Sequence, residues 1–335
     1  MRLLQTSIAA TVTACITAAV TARFTAAAVA CMTATVTACM TIGCQQPVKP
    51  GSAKPTGSTL QAELEAIDSS MAYYYLKGNA DSLVGFYDTA FTYLPEYYSP
   101  IDQTIGLQKF YTDWFKSQPL ASYSKQIYSV EKIADYVLEI GTFHMGYTKR
   151  PGPDKEYNGK YMTMWRRDGS GKLTIISEAF GSDKYIKQED MPYASVPVEE
   201  TKRKEDVNIL SDKLRPEIGE FDKGVVKAVL TGDGEARAKE FTTDGIYMPH
   251  FDPMQVGMAM LRPYMLKTYT GSSITDVRDN FHEIFDTGDF VFLSGHFKVG
   301  FGNGDNKGSF EGHMSNLMKR GQDGKLLMYR QLAHN

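Results

Sequence analysis

Cysteine is nearly absent from this sequence. The chain of 335 residues has four cysteines, and all of them lie in the first 44 positions: Cys15, Cys31, Cys39 and Cys44. The remainder of the chain therefore has no residue for a disulfide bond, a thiolate zinc site or a catalytic cysteine.

An excess of charge of one sign is also missing. The chain has 36 Lys and Arg against 39 Asp and Glu, a net charge of −3, and no block rich in Lys or Arg. A nucleic-acid-binding surface needs a basic patch, so we expect no nucleic acid partner. The hydrophobic fraction of 42% is ordinary for a folded protein, and the length predicts about two domains.

The first 43 residues are apolar and rich in threonine. Threonine is too frequent for a transmembrane helix, and Arg23 interrupts the stretch. Arg23 fits the positive region of a signal peptide, 24–40 fits its apolar region, and 41–44 (TIGC) is similar to the bacterial lipobox. We predict a signal peptide over 1–43 and lipid on Cys44, which would anchor the protein to a membrane of the cell envelope on its periplasmic or surface side. A plain secretory signal and an uncleaved anchor are the alternatives.

The segment 44–59 is rich in Pro, Gly, Ser and Lys and predicts a flexible tether. After this segment, one pattern of apolar residues occurs twice, and the two copies are 154 residues apart. Apolar residues recur at i, i+4, i+7, i+11 and i+15 in both copies, which is one face of an amphipathic helix: Leu60, Leu64, Ile67, Met71 and Tyr75, then Leu214, Ile218, Phe221, Val225 and Val229. The sequence predicts two domains, 60–181 and 214–335, with a charged linker at 182–213.

Each copy predicts helices first and strands after. A long helix (60–77 and 214–231) is followed by two shorter helices with a short strand between them. Four strand-like runs with turns between them then close the copy; in the second copy they lie at 274–286, 289–301, 308–320 and 324–333. Helices followed by an antiparallel meander are typical of the α+β class.

The order of elements, the turns GNAD and GDGE, and the closing runs that begin at Gly171 (GKLTI) and Gly324 (GKLLM) resemble the nuclear transport factor 2-like superfamily. They are most similar to its SnoaL-like branch, which includes ketosteroid isomerases. The resemblance implies two cone-shaped units, each a curved antiparallel sheet packed on a long helix around an apolar pocket. It also implies pairing of units through their sheets, so we expect pairing within the chain and a monomeric body.

The residues that the isomerases use are not retained at the matching positions. The position of their catalytic base falls on Pro95 in the first copy and on Pro249 in the second. Proline can neither accept nor donate a proton, so steroid-type isomerisation is not expected. The chain also has no phosphate-binding glycine loop and no nucleophile elbow. No cofactor is predicted, and no metal site, because no two histidines are spaced i, i+4 as a helical ligand pair would be.

The same alignment predicts which side chains face the two pockets. The expected lining is a wall of aromatic and Met residues with a few polar groups, as in small-molecule sites. The predicted ligand-binding residues are Tyr93, Thr142, Tyr161, Thr163 and Trp165 in the first copy, and Tyr247, His296, Asn316, Tyr329 and Gln331 in the second. Ile140 and Ile176 are expected on the same face of the first sheet.

His144 and Glu178 are the candidate catalytic residues. The predicted strand faces put both on the concave side of the first sheet, where the carboxylate would orient the imidazole as a general base. Tyr93 would then donate to a developing oxyanion. A purely structural hydrogen bond is the alternative. The second copy has Gln331 at the position of Glu178, so only the first pocket is expected to carry chemistry, while the second binds or braces.

Three functions remain open from the sequence. The leading prediction is an exported, lipid-anchored protein that binds a small, largely apolar ligand in one or two pockets, without chemistry. The second is a SnoaL-like enzyme of the isomerase, dehydratase or hydrolase type that uses His144 and Glu178. The third is an interaction module whose pockets are filled core.

Overall fold

The computed structural model describes residues 59–148, 152–197, 216–303 and 306–335. The predicted signal peptide, Cys44, the tether up to residue 58 and the second half of the linker (198–213) lie outside the described residues. Within the described residues, no helix is both long enough and apolar enough to cross a membrane.

The first half begins with α1 (Thr59–Lys77), α2 (Ala80–Val84), β1 (Tyr87–Leu94) and α3 (Thr104–Ser117). A meander follows: β2 (Leu120–Ile133), β3 (Tyr136–Thr148), β4 (Asp154–Arg167) and β5 (Leu173–Ser182). The sheet order is β1-β5-β4-β3-β2, with β1 parallel to β5 and every other pair antiparallel.

The second half repeats this order with one short extra strand. Its helices are α4 (Pro216–Leu230), α5 (Gly234–Lys239) and α6 (Gly257–Tyr269), and its strands are β6 (Phe241–Met248), β7 (Gln255–Val256), β8 (Ile274–Asp286), β9 (Phe290–Asn303), β10 (Asn306–Arg320) and β11 (Leu326–His334). The sheet order is β7-β6-β11-β10-β9-β8. The predicted α+β class and the two tandem units are confirmed.

The turns GNAD and GDGE have the same local role in the two halves. Gly78 and Gly232 adopt positive φ angles of 63° and 61°, which end the long helices without the steric strain that a side chain would cause. Asn79 and Asp233 follow and cap the short helices, since their side-chain oxygens accept hydrogen bonds from the backbone N–H groups of Ser82 and Ala236.

Each sheet packs one face on its own long helix. In the first half, Leu64, Met71 and Tyr75 of α1 join a core that is rich in aromatic rings. The core of the second half has methionines where the first half has Tyr111, Tyr161 and Trp165: Met265, Met314 and Met318.

The other faces of the two sheets share a third apolar core. Ile140, Met162 and Leu94 from the first half belong to one buried cluster with Met248 and Phe292 from the second. Polar contacts join the halves around that cluster: Arg330 Nη2 lies 2.6 Å from Glu131 Oε1, and His250 Nε2 lies 2.8 Å from Glu96 Oε1. The monomeric state of the body stays a prediction.

The predicted strand faces are wrong on β3 and β9. Gly141 lies opposite Tyr161, and partners opposite each other in a sheet share a face. Because Tyr161 faces the first core, Thr142 and His144 must face away from it. On β9, Gly295 lies opposite the inward Met314, so His296 also faces away.

A β-bulge on the last strand of each half corrects two further predictions. Met164 pairs with Ser177 and Trp165 pairs with Ile175, which leaves Ile176 without a partner on β4. Ile176 turns into the core between the sheets instead of the first cone. The pairing of β10 with β11 skips Tyr329 in the same way, so Tyr329 also belongs to the core between the sheets.

Candidate functional site

The interior of the first half contains five of the predicted residues. Tyr93, Tyr161, Thr163, Trp165 and Glu178 are all buried there. Tyr93 lies on β1, and Glu178 lies on β5. The other three lie on β4, and the strands β1, β5 and β4 are neighbours in the sheet.

A chain of hydroxyl groups ends at Glu178. The Tyr75 and Tyr111 hydroxyls lie 2.9 Å apart, and those of Tyr111 and Tyr87 lie 3.0 Å apart. Tyr87 then donates a short hydrogen bond to Glu178, and Thr163 donates a longer one of 3.5 Å. Burial raises the pKa of the Glu178 carboxyl, while the charge of Lys125 and the Tyr87 hydrogen bond oppose that rise.

Lys125, which sequence analysis missed, forms a buried ion cluster beside this chain. Its Nζ lies 2.8 Å from Asp68 Oδ1 and 3.4 Å from Glu139 Oε1, and its side chain is only 2% exposed. Tyr161 and Trp165 donate hydrogen bonds to the Glu139 carboxylate. Burial raises the pKa of Glu139 to about 7, against the opposing charge of Lys125.

Almost no free volume remains among these side chains. A cavity of about 10 Å³ lies between Tyr75, Tyr123, Lys125, Phe143, Met145, Tyr161, Glu178 and Phe180. That is space for about one water molecule, whereas ligand pockets have volumes of about 300 to 1,000 Å³. In this conformation the first cone is therefore a filled core.

The structure does not bring His144 and Glu178 together. The His144 ring lies 3.0 Å from Ser122 Oγ and 2.6 Å from Asn158 Oδ1, on the sheet face opposite the first core. Glu178 instead bonds with Tyr87 and Thr163. The proposed catalytic pair is wrong, because the β3–β4 register reverses the face that was assumed for His144.

A different polar group occupies the second interior. Arg237 Nη2 donates to Gln331 Oε1 at 2.7 Å, and Gln331 Nε2 donates to Asn316 Oδ1 at 3.0 Å. Gln331 and Asn316 were predicted here, and Tyr247 is buried in the same core. Arg237 was missed; at a shift of 154 its position in the first half is held by Leu83, which is also buried.

Arg237 is buried with hydrogen-bonding capacity to spare. The residue is 3% exposed, and its Nε and Nη1 donors have no acceptor among the residues that the structure describes. Its guanidinium lies 4.8 Å from the centre of the Phe241 ring. A buried guanidinium with unpaired donors is costly to the fold, so its position calls for a functional explanation.

The second half also opens to the side in a groove between α4 and β8. The groove has a volume of about 540 Å³ and is lined by Asp222, Lys223, Val226, Lys227, Leu230, Thr231, Val277, Arg278 and Asp279. The Asp222 and Asp279 carboxyl groups hydrogen-bond to each other there. Carboxyl groups this close cannot both ionise easily, so the pair holds a proton near neutral pH.

The pKa values of this acid pair have identifiable causes. Burial is the largest cause that raises the pKa of Asp279 to about 8, and the neighbouring charge of Asp222 contributes to that rise. The positive charge of Arg237 acts in the opposite direction. Burial also raises the pKa of Asp222. The pair was missed in the sequence, although the shift of 154 places Asp222 on Asp68 and Asp279 on Lys125.

Other surface grooves lie in the first half. One of about 350 Å³ lies beside Phe110, and one of about 540 Å³ lies beside Tyr136. The charged side chains of the latter are exposed to solvent: Lys132, Asp135, Arg166 and Arg167.

The remaining predicted ligand residues lie outside both interiors. His296 Nε2 lies 3.3 Å from Glu311 Oε2, and the Tyr329 hydroxyl donates to Glu131 of the first half. Thr142 is exposed. Within the described residues, no group of three or more His, Cys, Asp or Glu side chains is placed to hold a metal ion.

A histidine–carboxylate pair does occur at the junction of the halves. Glu96 is fully buried and accepts hydrogen bonds from the Ser182 N–H and hydroxyl, from Tyr157 and from His250. Burial lowers the pKa of His250, and the Glu96 hydrogen bond opposes that shift. With four donors already on one carboxylate, this pair holds the two halves together.

The chain was compared with solved structures and with known protein sequences. Solved structures similar to this chain include a conserved protein from Planctomyces limnophilus (14% identity, TM-score 0.33), which matches 36% of this chain and 92% of its own. A ketosteroid isomerase-like protein from Erwinia carotovora (18% identity, TM-score 0.30) matches 35% of this chain and 92% of its own. A nuclear transport factor 2-like superfamily protein from Salmonella enterica (8% identity, TM-score 0.32) matches 39% of this chain and 99% of its own. No protein-family model and no curated protein sequence matches the chain.

The chain consists of two tandem units with one α+β fold, as the order of helices and strands in each half shows. That fold serves many functions, so function has to be argued from the sites.

Proposed function

We propose that this chain is a ligand-binding protein of the cell envelope, held to a membrane through lipid on Cys44, which takes a small ligand in the groove of its second half. The observation that carries the proposal is the hydrogen-bonded pair of Asp222 and Asp279 in a groove of about 540 Å³. Concave apolar sites with a few polar groups of perturbed pKa are the usual form of a binding site.

The lining of the groove favours a ligand with an apolar part and a polar anchor. Val226, Leu230 and Val277 supply apolar walls, and the two aspartates supply the polar end. Arg237 is an additional charge nearby, because its field acts on Asp279. The sequence predicted a small, largely apolar ligand, whereas this groove favours a small ligand that is only partly apolar, at a site that differs from the one expected.

The first half has the role of a brace in this proposal. Its cavity of about 10 Å³ is too small for an organic ligand, and its buried carboxylates already have hydrogen-bond partners within the chain. The sequence had favoured the first pocket for any chemistry and the second for binding or bracing. The filled first interior leaves binding to the second half.

Mass spectrometry of protein purified from host membranes tests the anchor and the ligand together. A denaturing spectrum should show a polypeptide that begins at Cys44 and carries lipid, and Cys44→Ser should release the protein from the membrane. A native spectrum should show an additional non-covalent mass. A membrane-bound chain without lipid would contradict anchoring through Cys44. A native mass equal to the denatured mass would contradict the proposal that the protein carries a bound ligand.

A further inference from the structure

We propose that the groove of the second half binds a protonated amine with an apolar tail, and that the ammonium group lies between the Asp222 and Asp279 carboxylates. This inference rests on the proposed function and specifies its ligand class. It follows from a comparison of the two halves of the same molecule.

The first half contains its own ammonium at the equivalent place. The shift of 154 residues superposes Asp222 on Asp68 and Asp279 on Lys125. In the first half, Lys125 Nζ lies 2.8 Å from Asp68 Oδ1, so this position of the fold holds an ammonium against an aspartate. The second half has retained the aspartate and replaced the lysine with a second acid.

The two halves also differ in what closes the site. In the first half, the Tyr123 ring stacks on Tyr75 with centroids 4.3 Å apart, and both rings line the small cavity. Val277 and Val229 stand at those two positions in the second half. Val277 lines the groove between α4 and β8, where it forms apolar walls suited to an alkyl chain together with Val226 and Leu230.

Charged groups of both signs surround the pair, and two of the cations that line the groove have acidic partners of their own: Lys223 pairs with Glu220, and Arg278 pairs with Asp276 at 2.9 Å. Lys223 and Lys227 of α4 are exposed to water. Arg237 of α5 is buried in the second interior, and its positive charge favours the ionised form of Asp279. Its own Nε and Nη1 donors have no acceptor among the described residues, so it is not neutralised by a direct partner there.

Binding should release a proton. The free pair holds one proton near neutral pH because the pKa of Asp279 is raised to about 8. When an ammonium takes the place of that proton between the carboxyl groups, both become carboxylates and the proton passes to the buffer. The amine keeps its three hydrogens and donates them as charge-assisted hydrogen bonds.

Isothermal titration calorimetry of the whole mature protein tests this inference. n-Heptylamine, 1-heptanol and heptanoic acid have the same chain length and differ in their head group. We expect n-heptylamine to bind at pH 7 and the other two compounds not to bind. The observed heat of amine binding should change with the ionisation enthalpy of the buffer, as release of about one proton requires.

Three variants locate the site. Asp222→Asn should weaken amine binding about 10- to 100-fold, as expected for loss of a charged hydrogen-bond partner. Asp279→Lys places an ammonium opposite Asp222, as Lys125 lies opposite Asp68 in the first half, so it should abolish binding. The control Glu65→Gln changes an exposed acid of the equivalent helix in the first half and should bind as the parent protein does.

The possible results separate this inference from the proposed function. Equal binding of n-heptylamine and 1-heptanol would contradict the inference that the ligand is an amine, but the groove would remain a binding site. Displacement of the amine by Ca²⁺ would identify a metal site and would also contradict the inference that the natural ligand is an amine. Amine binding that persists in Asp279→Lys would place the site elsewhere and contradict both.

Discussion

Lys125 carries a full charge into the core of the first half. Its partners Asp68 and Glu139 have side chains that are 9% and 0% exposed, so the three groups depend on each other for solvation. The strand segment around Lys125 has a polar residue at nearly every second position, as an exposed strand would. Nothing in that segment alone distinguishes a buried lysine from a solvated one, which explains why sequence analysis missed it.

We expect Lys125→Met to destabilise the protein by about 3 to 5 kcal/mol, because the acids would lose their buried cation. Urea unfolding followed by circular dichroism measures the difference. Lys109→Met is the matched control: Lys109 forms an exposed pair with Asp113, and its loss should cost about 1 kcal/mol or less. Similar small losses in both variants would show that the Lys125 cluster contributes little.

The helices of this fold could be predicted more reliably than the faces of its strands. The apolar stripe of α1, from Leu60 to Tyr75, lies within one segment, so its inward face can be read locally. The face of a strand residue depends on its pairing partner. His144 was assigned to the wrong side because the register of β3 against β4 is set by the whole hairpin. The bulge at Ile176 could not be seen in the sequence for the same reason.

A substitution at Gly141 tests the register of β3 against β4 directly. An added Cβ would lie 2.3 Å from the Gln126 carbonyl oxygen and 2.6 Å from the Tyr161 hydroxyl. We therefore expect Gly141→Ala to destabilise the protein by about 1 to 3 kcal/mol, measured by urea unfolding. Gly169→Ala is the control, since its Cβ would meet nothing within 4 Å, and it should change stability by less than about 0.5 kcal/mol. Equal effects would mean that Gly141 does not face Tyr161.

The whole molecule uses one fold twice with different interiors. The duplication, the α+β class and the order of elements were accessible from the sequence, since each depends on spacing along the chain. The candidate site was only partly accessible: Gln331 and Asn316 were identified, whereas Arg237, Asp222 and Asp279 were not. Their importance depends on burial and on contacts between α4, α5 and β8, which spacing does not reveal.

The substitutions between the halves explain how one could brace while the other binds. The first half places Leu83, Lys125 and Glu178 where the second has Arg237, Asp279 and Gln331. In the first half these positions complete a packed core with an internal ion cluster. In the second they leave a guanidinium and an acid pair with capacity for an external partner.

Hydrogen–deuterium exchange of the mature protein, with and without n-heptylamine, tests most directly whether the second half is the binding half. Exchange reports local opening, which a bound ligand suppresses where it contacts the chain. We expect slower exchange in α4 and β8, which form the groove, and unchanged exchange in α1 and β2, their counterparts in the first half. Protection confined to α1 and β2, or protection nowhere in the chain, would contradict the assignment of binding to the second half.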